Sequence, residues 1–421
     1  MKHEEHTRFI REEYERSELW SRKRLGAFTN VVRASLERRL RKTTLRSLPF
    51  VLYLEPTTFC NLKCPACPTG LGVLGRPKAR LSVDEFKNTI DALGDSLFLL
   101  VMYNWGEPLL HKRFAGLVRY AAERGIVVHA SSNLSVPLTE AQCRDVVSSG
   151  LQLLLVGVDG ATPDTHARYR QGSRLPVVLE NLRKLAAAKR QLGSISPHIV
   201  AEFLVFSHNQ HEIPEFERQM DDIGVCTYTQ APLLPPGDSL EMADGPAFDR
   251  YRRHQRTIEA LRRKGRSLKP CTWLHYSSII NPGGSISPCC MVSNEASDFG
   301  RVTQTKKPAE MGRDFRTQWN GRKYTAARRL FRRETVARWA AKNLRLREPD
   351  GMGLSQARRA TPMICAECPI PEDVEVWSDL VSEMYQEFTI ATRRALTAFE
   401  IRPAARAGVR AALLGIAKLL Q

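Results

Sequence analysis

The chain has 421 residues, of which 43% are hydrophobic and 26% are charged, an ordinary composition for a globular protein of two or three domains. Its apolar runs are shorter than the roughly 18 to 20 residues that cross a bilayer, and its first thirty residues are too charged for a secretory signal peptide. We therefore expect a cytoplasmic protein. Of its ten cysteines, seven stand in CxxxCxxC, CC and CxxC groups, which are more economically explained as metal ligands than as disulfides.

The formal net charge of +18 comes from three segments rather than from the whole chain. Basic residues exceed acidic residues in 1–48, 306–360 and 387–421, and the remainder of the chain is near neutral. The basic runs 38–42 and 328–333 predict solvated helix faces, with contacts to an anionic surface or an acidic partner as the alternative. No nucleic-acid-binding module is recognisable, so we expect no nucleic-acid partner.

From residue 49 onward, strand-like apolar runs alternate with amphipathic helical patterns at the interval of βα units. Parallel strands need crossover connections of this length, so six repeats before residue 235 predict an α/β fold with a partial (β/α)6 TIM-like barrel. Ser82 and Thr139 each precede a helical pattern and are followed by acidic residues, which predicts helix N-caps. The predicted strands are 50–54, 97–103, 126–130, 151–158, 199–206 and 225–229, and the predicted helices are 82–94, 113–124, 139–149, 174–192 and 210–222.

Three cysteines follow the first predicted strand, at the carboxyl end where barrel enzymes build their sites. Cys60, Cys64 and Cys67 stand in the run CNLKCPAC and place three thiolates on one loop. A structural zinc site needs four protein ligands, and no further Cys or His lies within twenty residues of this run. A cube of four irons with three anchored corners and one open corner fits the count. A zinc half-site or three unconnected thiols are the alternatives.

This cysteine spacing resembles the signature of the radical S-adenosylmethionine (SAM) superfamily. The resemblance implies a 4Fe-4S cluster whose open iron binds the amino and carboxylate groups of SAM. Reduction of that cluster would cleave SAM and release a 5'-deoxyadenosyl radical that abstracts hydrogen from a substrate. It also implies an electron donor such as flavodoxin or ferredoxin as a partner.

The second predicted strand is followed by the run NWGEPLLH, which resembles the GGEP motif of the same superfamily. By this resemblance, Gly106 and Glu107 hold the SAM amino group, since a carboxylate beside an ammonium group makes a charge-assisted hydrogen bond. Trp105 stands in place of the first Gly of the motif. Gly106 is therefore the residue that can approach the ligand closely.

The third and fourth predicted strands also end in motifs that resemble SAM-binding segments. Ser132 and Asn133 resemble a Ser/Thr-Asn-Gly segment that contacts the ribose and methionine portions, with Leu134 replacing the Gly. Asp159 and Arg170 stand in elements that resemble SIDG and YRxG, where the arginine pairs with the SAM carboxylate. A guanidinium suits that role because it donates two parallel hydrogen bonds.

A second group of five cysteines follows residue 270. It begins before a predicted hairpin over 277–288 and ends in a CxxC pair, an arrangement that resembles the SPASM/Twitch extension of radical SAM enzymes. The resemblance implies a second, auxiliary 4Fe-4S cluster, with tetrahedral zinc as the alternative. Cys290 is assigned a supporting or alternative role, because neighbouring residues that leave a strand point in opposite directions, and Cys143 and Cys226 are interpreted as packed thiols. The predicted auxiliary ligands are Cys271, Cys289, Cys365 and Cys368.

These interpretations divide the chain into a barrel, a small C-terminal α+β auxiliary cluster domain and helical appendages. The last segment is amphipathic and is expected to dock onto the barrel, with peripheral membrane contact as a second interpretation. The predicted segments are a basic helical N-terminal extension over 1–48, a radical SAM core over 49–235, a helical linker over 236–270, an auxiliary cluster domain over 271–372 and amphipathic helices over 373–421.

The expected function is hydrogen abstraction from an unidentified small molecule with net, dehydrogenase-like oxidation. An auxiliary cluster that accepts an electron would make the reaction a two-electron oxidation. A peptide- or protein-modifying maturase is the alternative enzyme, although the 48 residues of predicted charged helix before the core are few for a peptide-recognition domain. A zinc-binding scaffold protein with basic appendages is the alternative from another class. The side chain that would remove a proton from the substrate is unknown at this stage.

Overall fold

The computed structural model describes residues 25–230 and 270–329. Each of the six predicted core strands is present close to its expected position, and neighbouring strands run parallel. The six strands are β1 (Val51–Leu54), β2 (Leu99–Val101), β3 (Val127–Ser132), β4 (Leu153–Gly157), β5 (His198–Leu204) and β6 (Cys226–Gln230).

Helices connect the strands, and two of them begin at the predicted N-caps. The hydroxyl of Ser82 accepts the backbone N–H of Glu85 at 3.1 Å, while the Glu85 carboxylate accepts the N–H of Ser82 at 2.8 Å. Thr139 forms the same capping box with Gln142, so both predicted caps are confirmed. The described helices are α1 (Leu25–Arg39), α2 (Val83–Leu93), α3 (Phe114–Ala122), α4 (Glu140–Val147), α5 (Pro163–Tyr169), α6 (Leu175–Leu192), α7 (Ile213–Ile223), α8 (Trp273–Tyr276), α9 (Pro308–Trp319) and α10 (Arg322–Arg329).

The predicted hairpin is also present, and it extends the sheet of the core. Its strands β7 (Ser277–Ile280) and β8 (Ser285–Ser287) are antiparallel, and β9 (Gly300–Arg301) follows β8. Strand β7 pairs in parallel with β1, which gives the order β6-β5-β4-β3-β2-β1-β7-β8-β9. The predicted fold class is confirmed: a parallel-dominated α/β sheet that is not closed, as in a partial TIM-like barrel.

The two faces of the sheet carry different clusters of buried side chains. Residues alternate along a strand, so Leu52 and Leu54 pack with the helices on the outer face. Val51 and Tyr53 belong to a separate cluster on the opposite face, which we call the inner face and which includes Trp273. The carboxyl ends of β1 to β6 meet at one edge of the sheet, and the motif residues lie there.

The prediction of a solvated basic face is wrong for Arg328 and Arg329, which are 1% and 8% exposed. The Arg328 guanidinium lies 4.4 Å from the ring centre of Trp319, and it donates hydrogen bonds to the carbonyls of Leu274 and Thr43. Burial lowers the pKa of Arg328 to about 9. Carbonyl acceptors and an aromatic face compensate for the water that this side chain has lost.

Several predicted features lie outside the described residues. They include the start of the basic extension, nearly all of the linker 236–270 and the terminal helices 373–421. Cys365 and Cys368 also lie outside the described residues. The predicted domain boundaries therefore stay predictions. Within 25–230 and 270–329, no helix combines the length and apolar character needed to cross a bilayer.

Candidate functional site

The three thiols that follow β1 lie on one turn, which we call the cluster loop (residues 60–67). The N–H of Cys67 donates to the carbonyl of Cys64 at 3.1 Å, which closes the turn. The thiols border one apolar cluster on the side of the loop that faces α5 and the end of β5. The apolar residues of this cluster are Leu62, Tyr169, Phe206, Ala66 and Leu204.

The surroundings of the cluster loop affect the protonation of two of its thiols, Cys60 and Cys64. Burial raises the pKa of Cys64 to about 11, Arg170 opposes this, and the other two thiols add to it. Burial likewise raises the pKa of Cys60. The thiols are therefore within electrostatic reach of one another, and a bound cation would be needed to hold Cys60 and Cys64 as thiolates at neutral pH.

The donors around the cluster loop fit an iron–sulfur cluster. The N–H of Leu62 and the side-chain amide of Asn133 point at the sulfur of Cys60, at 3.5 and 3.7 Å. Hydrogen bonds of this kind tune the potentials of such clusters. In the part of the chain that the structure describes, no three His, Cys, Asp or Glu side chains meet closely enough to hold one metal ion. Each thiolate of a cluster binds a different iron, so its ligands need not converge on one point.

Glu107 joins three of the predicted SAM contacts into one hydrogen-bonded group. Its carboxylate accepts the hydroxyl of Ser132 at 2.8 Å, the N–H of Asn133 at 2.7 Å and the N–H of Leu109 at 3.0 Å. The residue is only 3% exposed, and burial raises its pKa while these hydrogen bonds oppose the rise. Because Asn133 also reaches Cys60, the structure brings the predicted SAM contacts directly beside the cluster loop.

Glu55, at the end of β1, is a site residue that sequence reasoning missed. One of its carboxyl oxygens accepts the backbone N–H groups of Trp105 and Gly106, both at 2.5 Å. Burial raises the pKa of Glu55 to about 7. A side chain at Gly106 would put its Cβ 1.9 Å from the carbonyl oxygen of Thr57, so glycine is required there. Trp105 is accommodated because its indole N–H donates to the carbonyl of Val292, at 3.2 Å.

Leu134 replaces a glycine of the family pattern and retains the backbone shape that glycine favours. Its φ is 45°, in the left-handed region that leucine rarely adopts. The side-chain amide of Asn181 donates to its carbonyl at 2.8 Å, and its own N–H donates to the hydroxyl of Ser132 at 3.0 Å. These neighbours hold the turn without a glycine.

Arg170, which directly follows α5, reaches the same edge of the sheet. Its Nε donates to the carboxylate of Asp159, which is 0% exposed and also accepts the N–H of Leu204 at 2.7 Å. Gly157 stands where the SIDG element has a serine, and a Cβ there would lie 2.0 Å from a terminal nitrogen of Arg170. The missing side chain at Gly157 therefore leaves the space that the guanidinium occupies.

The second cysteine set approaches the inner face from the hairpin side. Cys271, Cys289 and Cys290 all pack against the cluster that contains Tyr53. Cys289 and Cys290 lie in the turn after β8 rather than in a strand, so strand alternation does not separate them as predicted. The role of Cys290 stays a prediction.

Arg76 connects the segment after the cluster loop with the hairpin segment. Its guanidinium makes two hydrogen bonds to the carboxylate of Asp298, at 2.8 and 3.0 Å, and donates to the carbonyl of Val292 at 2.8 Å. The side chains of this ion pair are 2% and 4% exposed. The carbonyl of Val292 also accepts the indole N–H of Trp105. This one carbonyl therefore connects the hairpin segment both to Arg76 and to the loop that follows β2.

Replacing Arg76 alone is expected to destabilise the fold strongly. Arg76→Met leaves the buried carboxylate of Asp298 without its partner, which costs about 3 to 5 kcal/mol for a buried ion pair. Urea titration followed by circular dichroism measures the change in the free energy of unfolding. The double variant Arg76→Met/Asp298→Asn removes both charges and should be more stable than the single variant. A double variant that is no more stable would show that the ion pair is not the cause.

Comparison with known proteins finds the same superfamily that the motifs of this chain resemble. Residues 54–215 match the sequence model of the Radical SAM superfamily. The chain is 28% identical over 187 residues to the tungsten-containing aldehyde ferredoxin oxidoreductase cofactor-modifying protein of Pyrococcus furiosus, covering 44% of this chain and 51% of that protein. It is 26% identical over 264 residues to the PqqA peptide cyclase of Bradyrhizobium diazoefficiens, covering 58% of this chain and 67% of that protein.

The crystal structure of SuiB from Streptococcus suis has the same fold over much of its length. It superposes with a TM-score of 0.50 at 13% identity, covering 71% of this chain and 72% of that chain. At this identity the likeness concerns the fold alone. The chain spans about half the length of the first curated relative and about two thirds of the second.

Proposed function

This chain belongs to the radical SAM superfamily through residues 54–215, and we propose that it uses Cys60, Cys64 and Cys67 to bind the catalytic cluster. Members of this superfamily bind a 4Fe-4S cluster and SAM, and the reduced cluster supplies the electron that generates a 5'-deoxyadenosyl radical. The observation that carries the proposal is the hydrogen-bonded group around Glu107, which contacts the cluster loop through Asn133.

In this proposal the residues around the cluster loop bind and orient SAM. Glu107 accepts hydrogen bonds from the SAM ammonium group, and a buried carboxylate is a strong acceptor for such a group. Arg170 binds the SAM carboxylate through its terminal nitrogens, while Asp159 holds its Nε. Ser132 and Asn133 contact the ribose and methionine portions. The apolar side chains beside the loop keep water from the reacting groups.

The second part of the proposal is an auxiliary 4Fe-4S cluster bound by Cys271, Cys289, Cys365 and Cys368. The first two of these thiols border the inner face, beside the strand that leads into the cluster loop. A cluster at that place could accept one electron from a substrate radical, and loss of a proton would complete a two-electron oxidation. Flavodoxin or ferredoxin is the proposed donor for the catalytic cluster.

Two substrate classes are candidates, and a different observation supports each. A small molecule is the first candidate, and its net oxidation is supported by the single auxiliary cluster that five cysteines permit. Peptide modification is supported by similarity to the PqqA peptide cyclase and to the mycofactocin maturase MftC of Mycolicibacterium smegmatis, which is 26% identical over 238 residues. Deuterated candidates of both classes separate them, because only the true substrate transfers deuterium efficiently to 5'-deoxyadenosine.

Anaerobic reconstitution tests the cofactor assignment. We expect about eight irons and eight sulfides per chain, since each 4Fe-4S cluster contributes four of each. Dithionite and SAM should then yield 5'-deoxyadenosine even without substrate. Metal analysis, sulfide analysis and chromatography of the nucleoside measure these outcomes. Stoichiometric zinc without sulfide would refute the proposal and support the zinc scaffold.

A further inference from the structure

The inner face of the sheet carries a polar group that the SAM-binding assignment does not use. On β5, Phe203 packs against Phe216 of α7, with ring centres 4.8 Å apart, so Glu202 points to the opposite, inner face. Glu202 is in register with Tyr228 of β6, and residues in register share a face. The side-chain amide of Gln230 donates a hydrogen bond to the Glu202 carboxyl.

Glu202 lies just below the cluster loop. Leu204, two residues further along β5 on the same face, packs with the apolar cluster that borders Cys60 and Cys67. Two residues of a strand span about 7 Å, so Glu202 is one repeat deeper along the inner face than the loop. Its neighbour in register on β4 is Gly157, beside which Arg170 lies. A molecule bound against Glu202 would therefore be adjacent to the proposed SAM site.

This carboxyl has no evident role in holding the fold. Among the described residues, Gln230 is its single side-chain hydrogen-bond donor. Burial raises the pKa of Glu202 to about 7, and the charge of Asp159 adds to the rise. Burial, and then the charge of Glu202, raise the pKa of Tyr103, which lies two residues after β2, so this part of the inner face brings the end of β2 and β5 within electrostatic reach. Burying an acidic side chain costs free energy of folding, so a buried acid with few partners is a candidate for binding a ligand.

The strand beside Glu202 is partly open to solvent. Tyr228, the register partner of Glu202, is 41% exposed. An ionised carboxyl accepts hydrogen bonds and attracts positive charge, whereas it repels another carboxylate. The Asp159–Arg170 pair beside it is neutral as a unit, so the net charge of these three residues is that of Glu202 when its carboxyl is ionised.

We propose that Glu202, supported by Gln230, is the substrate-binding carboxylate of the inner face, and that the substrate carries a protonated amine. This proposal rests on the proposed function, because the hydrogen that is removed must lie beside the SAM site. The amine would bind against Glu202 and place a neighbouring carbon below the cluster loop. Glu202 is a binding residue in this assignment, and no bond to it is formed or broken.

Deuterium capture by the 5'-deoxyadenosyl radical can show which small molecules bind at the inner face. Full-length reconstituted enzyme is given SAM, dithionite and one perdeuterated probe at about pH 8: n-butylamine, 1-butanol or butyrate. Mass spectrometry measures the fraction of 5'-deoxyadenosine that contains deuterium. In the wild-type protein we expect capture from the amine to exceed capture from butyrate. Glu202→Gln should reduce the amine-to-butyrate ratio by about tenfold, the equivalent of roughly 1.4 kcal/mol, with little change in total 5'-deoxyadenosine.

Two further variants separate this result from general effects. Glu215→Gln removes the same charge from an exposed position on α7, and it should leave the ratio unchanged. Glu202→Asp keeps the charge, so it must retain the amine preference even if Glu202→Gln folds poorly. Equal ratios in wild type and Glu202→Gln, or a lost preference in Glu202→Asp, would overturn the inference. A wild-type protein that forms no 5'-deoxyadenosine would instead contradict the proposed function.

Discussion

Replacing Cys64 with alanine is expected to reduce 5'-deoxyadenosine formation to the background level. Cys64 is the middle thiol of the cluster loop and is 7% exposed, so solvent cannot easily supply another ligand. Two remaining thiols would leave a second iron without a protein ligand, and the cluster would be lost or altered. Iron and sulfide analysis, together with the electron paramagnetic resonance spectrum of the reduced protein, measures the change. About four irons per chain should disappear if the second cysteine set forms its own cluster.

Cys143→Ala is the matched control for this experiment. Cys143 is 0% exposed on α4 and belongs to the outer-face cluster, away from the cluster loop. Its removal creates a small cavity and a modest loss of stability, but it should leave the iron content and the turnover unchanged. A Cys64→Ala protein that still forms 5'-deoxyadenosine at the wild-type rate would show that the cluster loop has been assigned wrongly.

Replacing Glu107 with glutamine is expected to weaken SAM binding by roughly 10- to 100-fold. The substitution removes a charge-assisted hydrogen bond to the SAM ammonium group, worth about 1.5 to 3 kcal/mol. It also places an amide NH₂ among donors, since the carboxylate accepts from Ser132, Asn133 and Leu109. Calorimetric titration of the reconstituted protein with SAM measures the affinity. The Michaelis constant for SAM in 5'-deoxyadenosine formation should rise in parallel.

Glu37→Gln distinguishes a binding role from a structural one. Glu37 is also 3% exposed, and its carboxylate also accepts two backbone N–H groups and a hydroxyl, from Arg46 and Ser47. It lies on α1 and takes no part in the hydrogen-bonded group around Glu107. This variant should lose a similar amount of stability and keep its SAM affinity. If both variants weaken SAM binding equally, Glu107 has no special role.

Local patterns identified the elements that depend on short stretches of chain. The six core strands follow from apolar runs, and the caps at Ser82 and Thr139 follow from residues within one turn. The motif residues converge as expected because parallel strands bring their carboxyl ends to one edge. Glu107 and Asn133 are adjacent for this reason, although 26 residues separate them.

Residues that act through distant partners gave no such signal. Glu55 binds backbone groups 50 and 51 residues away, and an acid after a strand has many ordinary explanations. Gly157 is explained only by the guanidinium of Arg170 that lies over it. Arg328 belongs to a basic run, yet it is buried because carbonyl groups and a tryptophan ring surround it.

The sequence by itself determined the order of strands and helices, the position of the cluster loop and the resemblance to the radical SAM superfamily, because periodicity, capping and cysteine spacing are local. Only the tertiary structure decided that β7 continues the sheet beside β1 and that Glu202 lies on the inner face below the cluster loop. Those facts depend on strand pairing between segments far apart in the chain, where a choice of neighbour and register is fixed by packing rather than by any short pattern.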